Sequence, residues 1–130
     1  MNLEEFERIV EVIEELREEA LTTPILVEGK RDIRALEKLG VNGEFFCACG
    51  GKPLYETCEE IGRAYKRVIL LVDMDSAGIA LAKKAKHYLS QLGVQVVEKH
   101  RITLLKKLDT RQVEHLATRF ERVRRELFRW

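Results

Sequence analysis

Apolar residues recur at Leu3, Phe6, Val10, Ile13, Leu16 and Ala20, the spacing of one face of a helix. Asn2 is placed to cap that helix, and Glu4 and Glu5 suit its electropositive first turn. Thr22-Thr23-Pro24 ends it, because proline disfavours helical backbone in the residue before it. A different pattern follows. Ile25-Leu26-Val27 is a short apolar run closed by Glu28-Gly29 and reads as a strand. Lys30 to Leu39 reads as a helix closed by Gly40, Glu44 to Cys49 as a strand, and Pro53 to about Arg63 as a helix with proline in its first turn. Arg67 to Val72 is a third strand and Ser76 to Leu92 a helix ended by Gly93. Val94 to Val97 is a fourth strand. Asp109 or Thr110 is the expected cap of a last helix, with Val113, Leu116, Ala117, Phe120, Val123 and Leu127 as its apolar face. The pattern is weakest over 101–109, where it defines no element.

Strands that alternate with helices imply right-handed crossovers and a parallel sheet covered on both faces. Short, wholly apolar strands agree with that. The expectation is an α/β, Rossmann-like fold with roughly four parallel strands. It comprises an amphipathic N-terminal helix over 1–23, a core over 24–100 and a basic helical extension over 101–130, in one compact domain. In such sheets function gathers beyond the carboxyl ends of the strands. Glu28, Gly50-Gly51, Asp73 to Asp75 and Glu98 to Arg101 all fall there, so residues far apart in sequence share one edge.

At 130 residues, 45% apolar and 35% charged, the chain has the composition of a globular domain with a charge-rich surface. No apolar run approaches the ~20 residues that span a bilayer. The acidic start resembles neither a signal nor a transit peptide, which points to the cytoplasm and away from membranes. Cys47, Cys49 and Cys58 are an odd number in such a context, so they are expected as packed thiols rather than disulfides or a zinc site. The net charge of +1 hides a strong asymmetry. Residues 1–24 hold eight acids and two bases, net −6, and residues 99–130 hold four acids and ten bases, net +6. Either the two ends neutralise each other, or the basic end, with Arg119, Arg122, Arg124, Arg125 and Arg129, meets phosphates.

The stretch RVILLVDMDSAG, residues 67–78, runs a buried strand straight into Asp73 and Asp75. Like charges held close raise each other's pKa, so something must offset the repulsion. If the first and third strands are neighbours, Glu28 joins them. Three carboxylates at one edge suit a hard divalent cation such as Mg²⁺, which takes one or two protein carboxylates and fills its remaining positions with water or phosphate oxygens. A carboxyl beside them, its pKa raised by its neighbours, suits general acid–base work. The plainer alternatives are that Glu28 pairs with Lys30 or Arg31, and that Asp73 and Asp75 serve as turn and helix-cap residues. Lys30, Arg31, Lys52 and Arg101 fall at the same edge and are candidates for binding phosphate or nucleic acid. Gly50-Gly51-Lys52 lacks the phosphate-loop pattern and reads as a turn.

Glu28-Gly29 after an apolar strand, followed by D-x-D-x-x-G at Asp73, Asp75 and Gly78, resembles the Toprim signature. That domain occurs in topoisomerases, bacterial-type primases, OLD-family nucleases and the nuclease that matures 5S ribosomal RNA. The segment ILVEGKRDIRALEKLG, residues 25–40, is especially similar to the last of these and to small stand-alone Toprim proteins. The resemblance implies Glu28 as general acid or base on a phosphodiester and as a possible metal contact. It implies Asp73 and Asp75 as Mg²⁺ ligands, with Mn²⁺ as a substitute. It further implies that Gly29 leaves room at the site and that Gly78 lets the next helix pack closely. Topoisomerases need a nucleophilic tyrosine from another domain, and Tyr55, Tyr65 and Tyr88 read as residues of core helices. The expected activity is therefore that of a small nuclease on RNA or DNA. The alternative is a non-catalytic module that binds nucleic acid or a ribonucleoprotein, and a homodimer or a protein partner is compatible with either. Receiver domains and haloacid-dehalogenase-like phosphatases place their acidic residues on other strands.

Overall fold

The computed structural model describes residues 1–129; Trp130, expected with Phe128 to dock on the core or a partner, lies outside the described residues. The elements follow in the order α1 (Leu3–Glu19), β1 (Ile25–Val27), α2 (Lys30–Lys38), β2 (Phe45–Cys47), α3 (Leu54–Ala64), β3 (Arg67–Leu70), α4 (Ser76–Gln91), β4 (Gln95–Val97), α5 (Lys99–Lys107) and α6 (Leu116–Leu127), with a single 3-10 turn, Val113–His115, before α6. The fold is α/β: one four-stranded sheet in the order β2-β1-β3-β4, every pair parallel. Asn2 caps α1 as expected, its side-chain oxygen accepting from the Glu5 N–H at 2.8 Å.

Alternation along the strands divides the core into two layers. Ile25, Val27, Ile69, Leu71 and Val97 pack against α1, α2, α5 and the start of α6. Leu26, Val68, Leu70 and Val72 pack against α3 and α4. The chain leaves β1 toward β2 on one side and β3 toward β4 on the other. The order therefore reverses between β1 and β3, where α/β sheets open a crevice beyond their carboxyl ends.

Three features differ from the sequence-based expectation. Residues 99–107, largely within the stretch that gave no element, form α5, and His100 and Arg101 are buried in it. Asp109 does not cap the last helix. It takes a left-handed conformation, φ 51°, one residue past the C-cap of α5. The cysteines are not all packed: Cys58 is buried and Cys47 half-buried, but β2 stops at Cys47 and leaves Cys49 exposed in the following turn. Among the described residues, no helix is long and apolar enough to cross a membrane.

Candidate carboxylate site at the sheet edge

The pairing of β1 with β3 brings Glu28 and Asp73 together. Leu26 lies opposite Leu70, and the Leu71 N–H still donates to the Leu26 carbonyl at 2.9 Å beyond the formal end of β3. One step further, the Glu28 side chain faces Asp73. Burial, and then the Asp73 carboxyl beside it, push Glu28 from an ordinary value of 4.5 up to about 7, although an Asp73 main-chain N–H offsets part of the rise. Asp32 adds to the push from one turn into α2.

Asp32 is the residue that the sequence reading passed over. It is 6% exposed, and its carboxylate accepts from the Gly29 N–H at 3.0 Å. Burial raises its own pKa, the Gly29 N–H lowers it, and Asp73 and Glu114 raise it again. An acidic residue three places after a helix N-cap is the sequence signal for this tie, of which only the Asp32 half exists because Gly29 has no side chain. Here the tie fixes the main chain that carries Glu28.

Asp73 is held from the far end of the chain. Its Oδ1 accepts from the Val113 N–H at 2.8 Å, and the Met74 N–H donates to the Arg111 carbonyl at 2.7 Å. Asp75 caps α4, its Oδ1 accepting from the Gly78 N–H at 2.8 Å, so the cap role weighed from the sequence is present. Gly78 is required by a close approach: a Cβ there would stand 2.1 Å from the Asp73 carbonyl oxygen. Gly29 is different. A Cβ there would meet nothing within 4 Å, so the space above it is open.

The basic candidates separate. Lys30 and Arg31 are exposed in the first turn of α2, Arg31 only 3.9 Å from Glu114. Lys52 is bonded to Glu60. Arg101 departs from the expected phosphate contact. It is 5% exposed, its Nε donates to the Val72 carbonyl at 2.7 Å, and its two terminal nitrogens donate to Glu98 and to the Asp73 carbonyl, each at 2.8 Å. Its donors brace the end of β3 and leave no fork for a phosphate. His100 beside it is buried against Glu19, which also pairs with Arg67. Of the tyrosines, Tyr65 follows α3 and bonds Glu44, while Tyr55 and Tyr88 pack edge to face.

Among the described residues, no group of three or more His, Cys, Asp or Glu side chains is placed to hold a metal ion, so Glu28, Asp73 and Asp75 do not close into the three-carboxylate cluster expected from the sequence. The donor chemistry suits Mg²⁺, which needs only one or two protein carboxylates: Glu28 and Asp73 meet half-buried at this edge, and Asp73 and Asp75 each commit one oxygen, Oδ1, to a main-chain N–H.

The chain matches the Toprim domain over residues 23–120, a span that takes in α5 and reaches α6. It is 42% identical to a UPF0292 protein of Methanocaldococcus jannaschii, across 96% of this chain and 97% of the relative. It is 35% identical to a UPF0292 protein of Pyrococcus horikoshii, across 95% and 92%. A solved structure of an Aquifex aeolicus protein superposes with a TM-score of 0.72 at 32% identity, covering 88% of this chain and 97% of that one. Toprim domains are, in general, Mg²⁺-binding domains that act on nucleic acids, and this chain belongs to the Toprim family.

Proposed function

We propose that the protein is a small Mg²⁺-dependent nuclease that hydrolyses phosphodiesters of RNA or DNA. The observation that carries this reading is the juxtaposition of Glu28 with Asp73 at the β1–β3 edge, under open space at Gly29. Asp73 and Asp75, with Glu28 at need, are the residues that would hold the ion. Bound there, it would orient the phosphate and stabilise its developing charge. Glu28 does the proton work. As carboxylate it takes a proton from the attacking water, and as carboxylic acid it gives one to the departing oxygen. Asp32 keeps the Glu28 main chain in place through the Gly29 N–H. Lys30 and Arg31, exposed at the start of α2, receive the flanking phosphate charge.

The test is incubation with structured RNA, single-stranded DNA and duplex DNA in Mg²⁺, Mn²⁺ or EDTA. The same set is run with Glu28→Gln and Asp73→Asn. Cleavage should require metal and fall roughly 10²–10⁴-fold in Glu28→Gln. Both variants cleaving at the wild-type rate would overturn the assignment. Tight binding with no turnover in any metal would make the chain a binding module.

A further inference from the structure

The opposite charges of the chain's two ends do not neutralise each other in the fold. Among the described residues, no ion pair joins an α1 carboxylate to an α6 base; the α1 acid in pairs is Glu19, with Arg67 and His100. The basic stripe of α6 instead lies beside a second one. On α2, Arg31, Arg34 and Lys38 follow each other at intervals of three and four, so they share a face. A hollow of about 180 Å³ lies between that face and Ala117 and Thr118 of α6. A larger hollow of about 1070 Å³ shares Lys38, Ala117 and Thr118 with it and continues past Arg122 and Arg125 to Phe128 and Arg129. The two make one groove, with Ala117 and Thr118 where they meet, Ile13, Leu39 and Phe120 lining the larger part, and Glu121 and Glu126 as the acids among that part's bases.

The groove starts at the carboxylate site. Arg31, at its upper end, is three residues from Glu28, and Glu114 opposite follows Val113, whose N–H holds Asp73. Most of its bases are available. Arg34, Lys38 and Arg122 have no carboxylate within ion-pair distance among the described residues, and Arg125 reaches Glu121 only at 3.6 Å with its side chain 76% exposed. Arg124 is the base that Glu121 holds firmly. At the lower end Phe128 is 44% exposed and packs edge to face with Phe6, ring centroids 5.7 Å apart. A positive groove ending in an available aromatic ring is the chemistry that holds an unpaired strand, phosphates on the bases and a nucleobase on the ring. An acidic polypeptide would use the charges but not the ring.

Resting on the nucleic-acid reading above, we propose that the α2–α6 groove is the track on which a single-stranded nucleic-acid segment lies as it enters the carboxylate site. Arg34 and Lys38 grip its backbone from one wall and Arg122 and Arg125 from the other. The track is about 18 Å long, the rise of α6.

The test is binding in EDTA, so that it does not depend on turnover. A labelled 12-nucleotide single strand, as RNA and as DNA, is titrated against the full chain at several salt concentrations. Its blunt duplex and a poly-aspartate peptide are titrated alongside. Arg34→Gln, Lys38→Gln, Arg122→Gln and Arg125→Gln are combined in one variant. A second variant removes four exposed bases from the other face, Arg63→Gln, Lys66→Gln, Lys83→Gln and Lys84→Gln. Thermal melting confirms that both fold. The track variant should bind the strand at least about tenfold more weakly, with a salt slope shallower by roughly 2 to 3. The opposite-face variant should bind like the wild type, and Phe128→Ala should weaken binding without changing the slope. Equal losses in the two quadruple variants would overturn the track. So would tighter binding of the duplex, or equal binding of poly-aspartate, which would mark a protein interface. If the wild type cleaves and the track variant binds undiminished, the track fails and the nuclease reading stands. If the track variant loses binding and nothing is cleaved in any metal, the track stands and the nuclease reading fails.

Discussion

Gly78 and Gly29 both flank carboxylates, but they do so for opposite reasons. At Gly78 the main chain of the Asp73 turn already occupies the place of a Cβ, 2.1 Å from the carbonyl oxygen. Gly78→Ala therefore has to push the Asp73 turn away from the first turn of α4. We expect it to destabilise the fold by about 1–3 kcal/mol and to lower activity by displacing Asp73. Gly29 meets nothing within 4 Å, so Gly29→Ala should lower the melting temperature by only a few degrees, the effect of alanine at a helix N-cap. Its methyl would enter the open space beside Glu28, and the larger expected effect is on substrate, read as a raised KM or a loss of turnover. A Gly29→Ala protein with full activity would show that substrate does not approach there. Asp32 tests the same corner from below. Asp32→Ala frees the Gly29 N–H and should reduce turnover with little change in strand binding, because Asp32 positions Glu28 and is itself almost fully buried.

At the level of elements, Arg101 joins α5 to the end of β3. Replacing it with Met leaves the Val72 and Asp73 carbonyls without its N–H donors and Glu98 with Lys86 alone. That should cost roughly 3 kcal/mol, a fall in melting temperature on the order of 10 °C. A change within one degree would mean that the guanidinium contributes little to the fold. The same residue explains why α5 escaped the sequence reading. A helix is legible when its buried positions are apolar, as Ile13 and Leu16 are in α1. In α5 the buried positions begin with His100 and Arg101, while Ile102 is 46% exposed, so the periodicity is inverted where it should start. The strands were legible because β1 and β3 are buried on both faces and read as continuous apolar runs. Glu28, Asp73 and Asp75 could be found because each ends a strand or caps a helix locally. The hold of Val113 on Asp73 spans 40 residues and leaves no local trace.

The whole molecule carries the last consequence, because a carboxyl with a raised pKa acts on global stability. Glu28 titrates near 4.5 when unfolded and about 7 when folded. The folded state therefore favours the protonated form. Its contribution is most favourable below pH 4.5, is lost as pH rises through 7, and is constant above that. With EDTA present, stability should thus fall between pH 5 and pH 7.5 on account of this group. Glu28→Gln, which keeps a neutral side chain at every pH, should melt higher than the wild type at pH 8 and alike at pH 4.5. A divalent cation reverses the sign of the argument, since it favours the ionised carboxylates that burial and mutual repulsion oppose. Added Mg²⁺ should raise the melting temperature of the wild type at pH 8, raise it less at pH 5, and raise that of Asp73→Asn least. Melting curves over this pH series, with and without Mg²⁺, decide it without any substrate. If Mg²⁺ produces the same shift in Asp73→Asn as in the wild type, the ion binds elsewhere on the chain. If Glu28→Gln gains nothing at pH 8, the Glu28 carboxyl is not the group whose ionisation opposes folding.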